Sequence, residues 1–194
     1  QVFYEGKIAT EVDDKNRMHP IKKFAGKSII WIDISMMDRK DESRLKGGSY
    51  CNYAENTLVK KLLEGFKNEG VLPNLDIGII TGYRGQKDLI RKSVNNSGYD
   101  RIAKGIDINT LDAFQGREND IIIYSTVRTK NSIGFQKEKE RVNVAFSRAK
   151  NLLIICGDMD FFYKFDDPDN KFIEIIDYIC EHEDECLVIP GGEI

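Results

Sequence analysis

ERVNVAFSRAKNLLIICGD, residues 140–158, decides how this chain is read. The first half has helical spacing. The second, NLLIICG (151–157), is a continuous apolar run of strand length. Arg141 and Arg148 stand seven residues apart, close to two helical turns. A helix carrying both presents both guanidinium groups on one face. Two cations on one face repel each other unless an anion sits opposite them. A cationic helix running into a buried strand is an α/β unit with a charged rim.

The same alternation extends outward from this stretch. SIIWIDI (28–34), DIGIIT (76–81), IDINT (106–110) and DIIIYSTV (120–127) read as strands, and CLVIP (186–190) as an edge strand. From about Tyr50 to Asn68, Leu58, Val59, Leu62, Leu63 and Phe66 fall at helical spacing. GQKDLIRKSV (85–94) and KFIEIIDYICEH (171–182) are further helices, and the polar run 35–49 reads as a loop. Most strands are continuous apolar runs, which predicts a mainly parallel sheet covered by helices on both faces. The domain is expected over 28–194, with 1–27 as a segment leading into it. In such folds ligands sit at the carboxyl ends of strands, which directs attention to 81–86, 110–118, 127–129 and 157–158.

Composition narrows the classes. The chain has 194 residues, enough for one well-packed domain. No apolar run approaches the roughly 20 residues of a membrane span, and no signal peptide is present, so an intracellular protein without membrane partners is expected. The net charge of −3 gives no global basic signature, although a local basic strip could still bind phosphates. The chain begins at Gln1, which reads as a piece of a longer protein. Cys180, His182 and Cys186 offer soft ligands at spacings unlike the common zinc patterns, so an acidic loop with ordinary thiols is the reading and no metal site is assigned.

The strand ends are rich in hydrogen-bond donors. TGYRGQ follows the second strand and TLDAFQGRE the third, bringing Gly116, Gln115, Arg117 and Glu118 to one corner; Arg128 follows the fourth. Donors that converge on one rim suit a polyphosphate or a nucleic-acid backbone. Taken singly, Tyr83 and Phe114 are as well read as core residues, and Arg141 and Arg148 as partners of surface carboxylates. GKS (26–28) is not the end of a phosphate-binding P-loop. Such a loop needs a glycine where Ile21 stands, and it opens a helix, whereas Ser28 starts a strand. No Asp-Glu pair ends an apolar strand to hold Mg²⁺, so the chain alone is not expected to hydrolyse a nucleotide.

IGIITGYRGQ, INTLDAFQGRENDIIIYSTVR and GFQKEKERVNVAFSRAKNLLIICGD together resemble motifs IV, V and VI of superfamily 1 helicases, and most closely the senataxin and nonsense-mediated-decay type, superfamily 1B. The three blocks match in order and spacing over Ile77 to Asp158. The resemblance implies a RecA-like three-layer domain lacking its own P-loop, the second motor domain of an ATP-dependent DNA or RNA helicase. ATP and Mg²⁺ would be bound mainly by the first RecA-like domain of the same polypeptide. Motif VI then places a catalytic arginine finger on Arg148, with Arg141 supporting it in ATP binding. Motif V places Gly116 beside the nucleotide, Glu118 at the ribose hydroxyls and Gln115 between nucleotide and strand. Thr81, Tyr83 and Thr110 would contact single-stranded DNA or RNA, and Arg128 would link the two surfaces. The alternative is a non-catalytic nucleic-acid or protein-binding module derived from a helicase. NRMHP (16–20) departs from the family's order, following FYEGKI and lacking the tyrosine, so it is read as coincidence and Arg17 receives no role.

Overall fold

Six strands lie side by side in a wholly parallel sheet, in the order β5-β4-β6-β7-β1-β8. They are β1 (Ile29–Asp33), β4 (Asp76–Thr81), β5 (Gly105–Thr110), β6 (Asn119–Ser125), β7 (Ala149–Gly157) and β8 (Cys186–Pro190). The computed structural model describes residues 18–114 and 118–194. The apolar runs become the strands because both faces are covered. Helices α1 (Tyr53–Asn68) and α2 (Arg84–Ser97) cover one face. Helices α3 (Lys139–Phe146), α4 (Met159–Lys164) and α5 (Phe172–Glu181) cover the other. This is the three-layer RecA-like arrangement.

Alternate residues of each central strand feed the two cores. Ile121 and Ile123 pack towards α1 and α2, and Ile122 and Tyr124 towards α3 and α5. Trp31 is fully buried on the second side, its indole N–H donating to the Gly157 carbonyl at 3.1 Å. α1 starts where Asn52 accepts the Glu55 N–H at 3.1 Å, and α2 stops at Gly98, φ +70°.

Three expectations need correction. The polar run 35–49 is not simply a loop. With the residues after it, it carries a short antiparallel hairpin, β2 (Ser43–Arg44) with β3 (Tyr50–Cys51), folded near the carboxyl ends of the strands. The fourth strand stops at Ser125, because Val127 takes a left-handed backbone, φ +72°. Helix α3 ends at Phe146, so Arg148 lies in the turn after it and not on the helix. There the Arg148 N–H closes onto the Ala145 carbonyl, and its own carbonyl accepts the Asn119 N–H at 3.0 Å. Pairing of Asn119 with Ala149 forces the chain out of the helix at that point.

Candidate nucleotide and nucleic-acid surfaces

Arg141 and Arg148 share one groove of about 360 Å³, lined also by Leu111, Asp112, Glu140 and Val144. Arg141, in the first turn of α3, is half-exposed. Its Nε pairs with Glu138 at 2.7 Å and lies 3.6 Å from Asp112. Arg148 differs in having no ion pair among the described residues. Its Nε is buried without a hydrogen-bond partner. A buried donor left unsatisfied costs free energy, and an acceptor delivered to it recovers that cost.

The expected convergence on a single rim is not found. Parallel strands start at one edge of the sheet and finish at the other. Asn119 and Ala149 open β6 and β7, so the Arg148 backbone sits at the amino edge. Thr81, Thr110 and the segment following Ser125 stand at the carboxyl edge. Helix α3 carries the chain between the two over about 12 Å, so the groove runs down the side of the sheet. Glu118 is exposed at the amino edge beside Asn119. Gln115 and Gly116 lie outside the described residues, as does Arg17.

At the carboxyl edge the expected strand contacts are mostly covered. Thr81 is fully buried, and Tyr83 and Arg128 nearly so; only Thr110 of the four is half-exposed. The Arg128 Nε pairs with Glu42 at 3.0 Å, an Nη donates to the Lys130 carbonyl at 3.0 Å, and the guanidinium stacks 4.5 Å from the centre of the Tyr50 ring. Glu42 also accepts the Thr129 hydroxyl at 2.8 Å and the Lys130 N–H at 3.1 Å. The Arg128 side chain is therefore satisfied inside the domain, and a phosphate would have to displace Glu42 to reach it. Tyr83 sits between Tyr50 and Phe135, at 5.7 and 5.5 Å, and burial raises its hydroxyl's pKa against the opposing pull of Arg128. Thr81, Tyr83 and Arg128 thus build the floor of this edge and not its exposed surface.

Beneath that floor lies a second buried acid. Glu55 on α1 is fully buried, and burial pushes its carboxyl up to about 8. Four donations oppose the shift: the hydroxyls of Ser125 and Thr126, and the Val127 N–H shared between both oxygens at 2.8 and 3.0 Å. A β-branched residue in the left-handed region is strained. Here Glu55 holds the strained N–H directly. Buried Gln136 fastens the other end of the same loop, donating to the Thr126 and Ile133 carbonyls at 2.9 and 3.1 Å.

Comparison with known proteins turns this arrangement into a family assignment. Residues 1–160 match the model of an AAA domain. The chain is 34% identical over 165 residues to a regulator of nonsense transcripts 1 homolog from Neurospora crassa, covering 80% of this chain and 15% of the relative. It is equally identical to the ATP-dependent helicase upf1 of Schizosaccharomyces pombe, over 80% of this chain and 17% of the relative. Helicase SEN1 of Saccharomyces cerevisiae is 34% identical over 166 residues, 80% of this chain and 7% of the relative. The chain belongs to the Upf1-like superfamily 1 helicases. It has the RecA-like fold of their C-terminal domain, and spans less than a fifth of the length of these curated relatives.

For a Upf1-like helicase domain, the positions missed in the sequence are instructive. Glu42 lies in the polar run read as a loop, and Glu55 and Gln136 carry no mark of their own in the sequence, yet each is buried and organises the carboxyl edge. Asn52, three before Glu55, caps the helix, so Glu55 falls in its first turn. Among the described residues no group of three or more acidic, histidine or cysteine side chains is placed to hold a metal ion, and His182 stacks on Tyr178 at 3.9 Å. No helix among the described residues is long and apolar enough to cross a membrane.

Proposed function

We propose that this domain is the second motor domain of an ATP-dependent DNA or RNA helicase, and that Arg148 is its arginine finger. The observation that carries the reading is the state of Arg148: among the described residues the Nε is buried without an acceptor, and the side chain lines an open groove that a second cation, Arg141, shares. Such a pair fits an anion brought by another domain. Hydrolysis transfers the terminal phosphoryl of ATP to water, and negative charge spreads over its oxygens as it does so. A planar guanidinium held by a rigid turn meets that charge without reorganising. The P-loop and the Mg²⁺ ligands belong, in this reading, to the first RecA-like domain, so this domain alone is inactive. Glu118, exposed at the amino edge near the Arg148 turn, takes the ribose hydroxyls.

Single-stranded DNA or RNA lies across the carboxyl edge. Thr110 makes the direct contact, and Thr81, Tyr83 and Arg128 hold the surface from below. The test is ATP turnover in the longer protein carrying Arg148→Ala. Turnover falls roughly 10³-fold or more while single-strand affinity stays within about twofold. Turnover unchanged in that variant would instead favour a binding module that has lost catalysis.

A further inference from the structure

Among the described residues, Phe135 is the one exposed aromatic in the chain of contacts between the two surfaces. It lies in a 3-10 turn (Gly134–Lys137) between β6 and α3 and keeps 49% of its surface exposed. On one side its ring tilts against Tyr83 at 5.5 Å. On the other, the Arg141 guanidinium sits 5.7 Å from the ring centre. The Tyr83 hydroxyl in turn accepts from an Arg128 Nη at 3.4 Å.

The backbone that carries Phe135 is tightly specified. Gly134 has φ +62°, and a Cβ there would stand 2.0 Å from the Tyr83 hydroxyl. Only glycine lets the turn lie this close to Tyr83. Val127 and Asn131 are also left-handed, so the loop makes three such bends, with Glu55 and Gln136 fastening it. A loop so over-determined transmits displacement instead of absorbing it. A shift of Tyr83 at the carboxyl edge moves the Phe135 ring, and among the described residues the ring is one of three groups that hold Arg141. The other two, Glu138 and Asp112, are exposed carboxylates whose grip is screened by solvent.

We propose that Phe135 is a positioning residue: it sets the guanidinium of Arg141 in the groove and couples that setting to the occupancy of the carboxyl edge. The inference rests on the reading of the groove as nucleotide-facing. It goes beyond that reading by naming the side chain through which a bound strand acts.

The experiment uses the longer protein with its P-loop domain and compares Phe135→Leu, Phe135→Tyr, Arg141→Ala and the Phe135→Leu/Arg141→Ala double variant. ATP turnover is measured at saturating single-stranded oligonucleotide, together with strand affinity and melting temperature. Phe135→Leu lowers the maximal rate about fivefold or more, with strand affinity within about twofold and melting unchanged. Phe135→Tyr, which keeps the ring, restores most of the rate. The double variant is no slower than Arg141→Ala, because Phe135 acts through Arg141. A normal rate in Phe135→Leu, an equal loss in Phe135→Tyr, or additive losses in the double variant would each overturn the inference. Should Arg141→Ala leave turnover untouched, the nucleotide-facing reading falls as well. Should Arg141→Ala slow turnover while Phe135→Leu does not, only the role of Phe135 falls.

Discussion

Glu55 shows how a charged residue can be structural without being solvated. Its carboxyl lies under the end of β6 and gathers the hydroxyls of Ser125 and Thr126 and the strained Val127 N–H. In the folded chain its pKa is about 8, against 4.5 when exposed. The folded state therefore keeps a proton that the unfolded state releases. This contribution lowers stability as pH rises from about 4.5 to 8, by up to about 1.4 kcal/mol per pH unit, and levels off above that. Glu55→Gln removes the titration. Urea denaturation at pH 5 and pH 8 is expected to show a smaller loss for the variant than for the unaltered chain; equal losses would mean that the proton is not held there. Nothing in the string YAENTLVKK separates Glu55 from the solvated lysines of the same helix. Its burial depends on β6 passing beneath, a contact 70 residues away in sequence.

Among elements, the central strands were the most legible, because unbroken apolar runs such as IIWID and DIIIYS leave only a doubly covered sheet as their place. The end of α3 was not legible. ERVNVAFSRAK stays helical in pattern past Phe146, and only the pairing of Ala149 with Asn119 stops it. The hairpin β2–β3 has two-residue strands, too short for any alternation to register. The crossover from β5 to β6 makes its own prediction. Leu111 and Phe114 pack directly on the sheet there, and Gly78 makes room for Phe114: an added Cβ would meet Ile122 and Phe114 carbons at 2.6 Å. Gly78→Ala is expected to cost about 2 kcal/mol in denaturation. Gly65→Ala on α1, where nothing stands within 4 Å, is expected to gain about 0.5 kcal/mol or more. Equal effects at the two positions would show that the crossover does not press on the sheet.

At the scale of the whole molecule, the cationic groove and the donor-rich strand ends occupy different edges of the sheet, joined by α3 and the loop before it. The rule that ligands gather at carboxyl ends directs attention to the edge that carries Thr81, Thr110 and Arg128 and passes over the Arg148 turn, because it describes sheets that bind a ligand within one domain. Here the Arg148 turn lies at the opposite edge, its side chain lining an open groove. The claim that Arg148 recognises reacting phosphate, and not merely bound nucleotide, is the centre of the account. Binding of ADP with aluminium fluoride, a mimic of the transferring phosphoryl, tests it most directly in the longer protein. Arg148→Ala is predicted to bind ADP within about twofold of the unaltered protein and the mimic roughly 10²-fold more weakly. Equal retention of both ligands would contradict the account.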